Sequence, residues 1–296
     1  MGYLFNGCES LISLDISNFI TSQATNMAHM FENCYSLTSL NFNFDTSKVT
    51  DMSNMFKGCS QITSLNLNSF ITKEVKNMRN MFYNMENLEN LILTKQFNTE
   101  KVESMEKMFS GCKSLLNLDI SNFKTPSLKN MNEMLNNCNK LTSLDFSLFQ
   151  TNQVKNMSLL FNGCSSLTSL SLKFDTALVE NMKEMFKDCN SLRILDLEEL
   201  DVSYNKDFSG MFKGCSNLNN LDISKWDTSL ANDMTSMFEE CKSLNRLDLS
   251  NFNTKVCNKF DNMFKGCNEK LTVILNDKKA QNMIDAIKDS VIVESP

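Results

Sequence analysis

Cysteine is the residue with the most obvious chemical potential in this chain of 296 residues. Disulfides and zinc sites both need sulfur atoms that converge, whereas ten of the eleven cysteines occur once per repeated segment and form no C-x-x-C pair. This spacing favours a column of buried thiols that pack as small hydrophobic groups, with disulfides between repeats and a metal site as the alternatives. The ten are Cys8, Cys34, Cys59, Cys112, Cys138, Cys164, Cys189, Cys215, Cys241 and Cys267.

Histidine occurs only once, as His29. Catalysis of the Ser-His-Asp or Cys-His type would depend on this one residue, and a site with several histidine ligands is excluded. We therefore predict a protein that is not an enzyme, with no catalytic residue, no cofactor and no metal site.

Acidic residues form the most informative polar column. They stand between the last two leucines of a Leu-x-x-Leu-x-Leu segment, where alternate residues of a strand point outward. Carboxylates on adjacent strands repel one another unless they are solvated or paired. Two interpretations remain open: a polar face that keeps the protein soluble, or a ligand-binding face for a basic protein segment, a glycan or a cation. The candidate residues are Asp119, Asp145, Asp196, Asp222 and Asp248, with Arg246 as a basic neighbour.

An internal repeat must position all of these columns. A Met-Phe pair recurs every 25 to 27 residues, and its phenylalanine serves here as the anchor of each repeat. Eleven repeats account for almost the whole chain, and a unit of this size buries its apolar face only by stacking on its neighbours. The anchors are Phe5, Phe31, Phe56, Phe82, Phe109, Leu135, Phe161, Phe186, Phe212, Phe238 and Phe264.

Each repeat carries the pattern of one helix and one strand. Around Phe31, apolar residues at Met27, Met30 and Cys34 have helical spacing, and Asn26 before them is a preferred helix-capping type. Glycine or a polar residue precedes each of the ten repeated cysteines and suits the left-handed end of a helix. The sequence thus predicts an α/β solenoid, right-handed and leucine-rich-repeat-like, of about 11 units with one short helix and one short parallel strand each.

The repeat resembles that of BspA-like leucine-rich-repeat surface proteins, a type also abundant in mycoplasma lipoproteins. The segment DMTSMFEECKSLNRLDLSNF, residues 233–252, is close to the family pattern throughout, and the resemblance covers residues 1–276. It implies a solenoid displayed at the cell surface or secreted, which binds a protein or glycan in adhesion on the open face of its parallel sheet. An intracellular structural or scaffold repeat protein is the alternative.

Two places depart from the repeat. Leu200, Val202, Asn205 and Phe208 replace an aromatic residue, threonine, valine and methionine, so we expect a remodelled connector there. After repeat eleven the pattern stops, and apolar residues at helical spacing predict an amphipathic helix over 278–289. We therefore divide the chain into a solenoid, residues 1–276, and a capping helix with a tail, residues 277–296.

Composition and the chain ends bear on partners and location. The net charge of −6 makes a nucleic-acid partner unlikely on electrostatic grounds, and the sequence has no apolar stretch that would span a membrane. Met1 falls in the middle of a repeat, and the sequence carries no signal peptide or anchor, so we expect a fragment of a longer surface protein; a cytoplasmic location stays open. The oligomeric state is not indicated.

Overall fold

A computed structural model describes residues 1–296, with the exception of the Asp277 side chain. The chain forms two compact units, Met1–Thr151 and Asn152–Pro296, and both are built from the same repeated turn of chain. We describe each by itself.

Short parallel strands occupy the predicted Leu-x-Leu segments. The first unit contains β1 (Ser13–Ile16), β2 (Ser39–Phe42), β3 (Ser64–Asn66) and β4 (Asn90–Ile92). The second contains β5 (Ser169–Ser171), β6 (Ile194–Asp196), β7 (Arg246–Asp248), β8 (Thr272–Ile274), α1 (Asp277–Ile287) and β9 (Ile292–Glu294). Strands pair as β1–β2, β3–β4, β5–β6 and β7–β8–β9, always between equivalent positions of consecutive turns. Each unit is thus a leucine-rich-repeat-like solenoid, as predicted.

The Met-Phe segments, however, are not helices, and the prediction of one helix per repeat is wrong. They run as consecutive turns. In the second repeat the N–H of Phe31 donates to the carbonyl of Met55 in the next repeat at 2.9 Å, and the N–H of Cys34 donates to Phe31, three residues earlier, at 3.2 Å. An α-helix would bond residues four apart within the segment. Here the segment instead uses its polar groups to bond the repeats to one another.

Left-handed backbone at two places in each repeat explains why no helix forms. The residue two before the anchor and the residue two after it both have φ between 52° and 79°, whereas a right-handed helix needs about −63°. At the second place, glycine or asparagine in most repeats indicates the left-handed conformation from the sequence alone. The first place is held by residues as varied as Lys107, Glu133 and Leu159, which seldom adopt this conformation, so it gives no sequence signal.

The predicted helix caps close turns instead. Asn26 Oδ1 accepts the N–H of Ala28 at 2.8 Å, and Asp207 Oδ1 accepts that of Ser209 at 2.8 Å. A side-chain oxygen that accepts the N–H two residues later defines an Asx turn, a geometry that serves a loop as well as a helix start. Residue type at this position therefore could not distinguish the two structures.

Phenylalanine anchors form the centre of both units. In the first unit the rings of Phe31, Phe56, Phe82 and Phe109 stack with their centroids 5.3 to 5.9 Å apart. In the second unit the stack is formed by Phe161, Phe186, Phe212, Phe238 and Phe264, at 5.3 to 5.7 Å. All nine rings are buried, and burial of each stabilises the fold by about 1.5–3 kcal/mol.

Threonine and cysteine satisfy polar groups inside this core. The buried Thr46 hydroxyl donates to the carbonyl of Ile71 at 3.0 Å and accepts that residue's N–H at 2.8 Å. The thiol of Cys59 donates to the carbonyl of Phe31 in the previous repeat at 3.1 Å. Nine of the eleven cysteines are buried, as expected for thiols that pack as small hydrophobic groups.

Glycine alternates with larger residues at the left-handed position before the cysteine. An added Cβ at Gly111 would lie 2.2 Å from Oδ1 of Asn84 in the previous repeat, and one at Gly214 would lie 2.4 Å from Oδ1 of Asp188. Each polar side chain thus lies over the glycine of the next repeat, and a side chain in two consecutive repeats would force one of them to shift. The structural period is therefore two repeats, although the sequence period is one.

The two irregular segments behave differently from each other. The connector at Leu200–Asn205 is not remodelled: the N–H of Asn205 donates to the carbonyl of Val202 at 2.9 Å, as Val179 does to Thr176. The C-terminal segment forms α1 close to the predicted bounds. Its Asn282 donates to the carbonyls of Thr254 and Cys257 at 2.8 and 2.6 Å, and β9 then adds a strand that the sequence pattern does not reveal.

Candidate ligand-binding face

Outward strand residues form the candidate face. In β6, Leu195 points into the core with 6% of its surface exposed, while Ile194 and Asp196 on either side are exposed. The same alternation occurs in β3 and β5. This pattern follows from the two-residue period of a strand and places the predicted acidic column on the solvent side.

The aspartates have a structural task at the end of each strand. Asp15, Asp119 and Asp145 accept the backbone N–H two residues later at 3.0, 3.1 and 2.8 Å. Asp196, Asp222 and Asp248 do the same in the second unit, at 3.2, 3.1 and 2.9 Å. Each carboxylate thus closes an Asx turn, and those of Asp15, Asp196 and Asp248 do so at the end of a strand. The sequence pattern gives no sign of this contact, which supplies each carboxylate with a partner inside the fold.

Hydrogen bonds to the carboxylates outweigh the repulsion that the sequence predicts between them. The hydroxyl of Ser171 donates to Asp196 Oδ2 at 2.8 Å and is the main reason that the pKa of Asp196 lies below its ordinary value. The Ser224 hydroxyl, at 2.8 Å, lowers the pKa of Asp222 in the same way. Mutual repulsion would have raised both pKa values.

The candidates are divided between the two units. Asp119 and Asp145 belong to the first unit, and Asp196, Asp222 and Asp248 belong to the second. Asp196 and Asp222 are exposed, and an isolated bridge between Ile194 and Asn220 sets their segments side by side, whereas Asp248 is half-buried.

A cleft of about 440 Å³ opens beside Asp196 and Asp222. Trp226 contributes to its lining with only 4% of its surface exposed, and its ring stacks on Phe208 at 5.7 Å. Ile194 adds an apolar wall that is 67% exposed. The cleft thus combines carboxylates with apolar surface, which suits recognition by hydrogen bonds and burial.

Basic residues also border this cleft. Lys225 forms an ion pair with Glu198 at 3.0 Å, and Arg193 lies at the edge. Sequence analysis missed these three residues, because only stacking shows which outward positions of repeats eight and nine meet. The solitary Trp226, in place of phenylalanine, was the available signal.

Arg246 is engaged elsewhere. Its Nη1 lies 3.4 Å from Oε2 of Glu294 in β9, so it pairs with the strand that the sequence did not predict. It does not serve as the counter-charge of the acidic column that its position in the sequence suggested.

Burial disfavours ionisation of the thiols inside the core. It raises the pKa of Cys34 and Cys267 to about 11 and that of Cys112 and Cys215 to about 12. Among the residues whose side chains are described, no group of three or more His, Cys, Asp or Glu residues is placed to hold a metal ion. Nor does the described chain contain a helix that is both long and apolar enough to cross a bilayer.

The family model described as "Mycoplasma protein of unknown function, DUF285" matches residues 1–95, 91–195 and 181–290. The chain belongs to this family. The matches cover most of the chain, so the DUF285 repeat runs through both compact units. No curated protein matches the chain.

Solved structures share the fold. A leucine rich cell surface protein from Faecalibacterium prausnitzii is 15% identical with a TM-score of 0.51, and the match covers 100% of this chain and 79% of that one. A leucine-rich repeat protein from Bacteroides ovatus is 20% identical with a TM-score of 0.35, over 100% of this chain and 86% of that one. The match to the Faecalibacterium prausnitzii protein and the DUF285 match together confirm the resemblance to BspA-like leucine-rich-repeat proteins.

Proposed function

We propose that this DUF285 chain is a non-enzymatic protein-binding module that takes a basic segment of its partner on the outward strand face of the second unit. The observation that carries the proposal is the position of the cleft, which is lined by Asp196 and Asp222, two residues that the sequence pattern alone had marked. Carboxylates beside apolar surface suit lysine and arginine side chains, whose aliphatic stems pack while their charges pair.

Adhesion at the cell surface is the biological setting that we propose. The similar protein from Faecalibacterium prausnitzii is described as a cell surface protein, and solenoids present extended faces of this kind to partners. One observation favours an intracellular scaffold instead: buried thiols such as Cys59 and Cys215 donate to backbone carbonyls and form no disulfides, which is typical of a reducing compartment. Localisation of the full-length product in its native cell separates the two settings.

A random peptide library tests the proposed site. We expect the wild-type protein to select peptides rich in Lys and Arg, whose affinity falls as salt rises. Asp196→Asn, Asp222→Asn and Asp248→Asn together should weaken the peptides that bind at this face while they keep the Asx turns, since Asn66 already closes one at 2.9 Å. Unchanged affinity of all the selected peptides for this variant would contradict the proposal.

A further inference from the structure

A row of exposed apolar side chains runs along the connectors of the second unit. Each member of this row lies two residues after the buried column that begins at Thr176. The exposed fractions are 47% for Leu178, 55% for Tyr204, 46% for Leu230 and 59% for Val256. Single exposed apolar residues are common, whereas the same position in four consecutive repeats makes a continuous patch.

Backbone hydrogen bonds place these connectors side by side. The N–H of Lys206 donates to the carbonyl of Glu180 at 3.0 Å, and that of Asn232 donates to Lys206 at 2.9 Å. The threonine hydroxyls add a second link, from Thr176 to the carbonyl of Asp201 at 2.7 Å. Since the row lies between these bonded positions, its side chains follow one another at the spacing of the repeats, about 4.8 Å.

An acidic row accompanies the apolar one. Asp175, Asp201 and Asp227 are exposed and stand three residues before Leu178, Tyr204 and Leu230. Asp201 and Asp227 each accept a backbone N–H at 2.9 Å, which holds their carboxylates at the turn. The fourth connector carries Asn253 and Lys255 instead, so negative charge is concentrated along the first three.

The negative charge and the small area of the apolar row restrict which partner can bind there. A second copy of this edge, or an anionic membrane or nucleic acid, would bring negative charge against the aspartates. Four side chains also fall short of the roughly 800 Å² that each partner buries in a standard interface. A single basic segment of a protein partner fits both restrictions.

Spacing indicates the conformation of that segment. The four side chains span about 14 Å at the separation of stacked strands. An α-helix presents apolar residues on one face about every 5.4 Å, which gives about 16 Å over three turns. An extended strand presents them about every 6.7 Å and would reach about 20 Å. The helix matches the row more closely.

We propose that the connector edge of the second unit binds an amphipathic helix, with apolar residues on Leu178, Tyr204, Leu230 and Val256 and with Lys or Arg beside Asp201 and Asp227. This is a second surface, separate in its residues from the cleft at Asp196 and Asp222. It stands whether or not that cleft binds a ligand.

Synthetic peptides of about 18 residues test the proposal. The probe has leucine at helical i, i+4, i+7 and i+11 positions with lysine along one flank; its controls are a scrambled peptide and the same helix with glutamate for lysine. By fluorescence anisotropy we expect the probe to bind at least about tenfold more tightly than either control. Equal binding of the probe and the scrambled peptide would overturn the proposal.

Matched variants locate the binding. Replacement of the four apolar residues by Gln, which the same position already holds as Gln23, should weaken the probe at least about tenfold without a change of melting temperature. Asp201→Asn with Asp227→Asn should remove most of the salt dependence. Lys48→Gln with Lys101→Gln, at the same position in the first unit, should leave binding unchanged.

Two further results would overturn the assignment. If sedimentation shows a wild-type dimer that the Gln variant abolishes, the row is an interface between copies of this chain. If Asp196→Asn, Asp222→Asn and Asp248→Asn together abolish probe binding, the connector edge is not a separate surface. Retention of binding by that triple variant supports the edge even where the cleft proposal fails.

Discussion

The connector position two residues after the buried threonine column is polar in the first unit and mostly apolar in the second. In the first unit Lys48 Nζ donates to Gln23 Oε1 at 2.9 Å and Lys101 Nζ pairs with Glu74 Oε2 at 2.6 Å. There the column satisfies its own polar groups from repeat to repeat. In the second unit the column begins with the exposed Gln153, and the next four side chains are apolar or aromatic: Leu178, Tyr204, Leu230 and Val256.

Inside, the two units barely differ. Both contain a phenylalanine stack, buried threonines and thiols that donate to the carbonyl of an anchor residue, as Cys59 does to Phe31 and Cys215 to Phe186, each at 3.1 Å. The comparison teaches that the interior columns determine the fold of every repeat, while outward positions vary freely between units. We therefore expect substitutions at outward positions to change binding and substitutions in the interior to change stability.

The largest expected effect tests whether the two interiors are equivalent. Phe109→Ala in the first unit and Phe212→Ala in the second should each lower the free energy of unfolding by about 3–5 kcal/mol, because both remove a buried stacked ring. Denaturant titration measures the loss. A loss below about 1 kcal/mol for either variant would break the equivalence.

The alternation of glycine with larger residues should hold in both units. Gly111→Asn and Gly214→Asp should each cost about 1–3 kcal/mol, since the new Cβ meets the polar side chain of the previous repeat. Adding Asn84→Gly or Asp188→Gly should recover only part of the loss in a double-mutant cycle, because the new side chain still meets Asn137 or Glu240 of the next repeat.

Gly7 provides the matched control for this prediction, since an added Cβ there meets no atom within 4 Å. Gly7→Asn should therefore cost less than Gly111→Asn. Equal costs would mean that left-handed backbone alone, and not the neighbouring side chain, requires glycine.

One buried residue of the second unit breaks the similarity of the interiors. Asn205 is fully buried in the column that Val179 and Val75 occupy, and its Oδ1 has no hydrogen-bond partner. Asn205→Val should stabilise the protein by about 1–2 kcal/mol, and Val179→Asn should destabilise it by a similar amount, both measured by denaturant titration. A loss of stability in Asn205→Val would show that the amide is needed.

Acidification should lower the stability of both units to a similar extent, and this is the smallest of the expected effects. Asp15, Asp145, Asp196 and Asp222 have pKa values below 3.8, so their hydrogen bonds stabilise the fold above that pH and are lost as the pH falls through the lowered values. Unfolding titrations between pH 5 and 2.5 should show a shallower decline when all four are Asn. An unchanged decline would show that ionisation of these four carboxylates does not contribute to the pH dependence of stability.

Much of the fold was predictable from repeated residue types. Phenylalanine, cysteine and leucine columns predict the stack and its parallel strands, because burial must repeat with the chain. The helix prediction failed at positions such as Lys107 and Leu159. The backbone there is left-handed because of packing between neighbouring repeats, and the residue type does not indicate this conformation.

Only some residues of the candidate site could be predicted from the sequence. Outward aspartates follow from the two-residue period of a strand, and that period correctly marked Asp196 and Asp222. The contributions of Lys225 and Glu198 depend on which repeats stack, and the pairing of Arg246 with Glu294 depends on β9. Contacts across repeats of this kind have no local sequence signal.

The most direct measurement of the central claim compares one variant from each unit. A Lys-rich peptide selected on the wild-type protein is titrated against Asp196→Asn, Asp222→Asn and Asp248→Asn together, and against Asp15→Asn, Asp119→Asn and Asp145→Asn together. We expect the second-unit variant to lose at least about tenfold in affinity together with its salt dependence, and the first-unit variant to bind as the wild type does. Equal affinity of the two variants would contradict the claim that binding resides on the second unit's face.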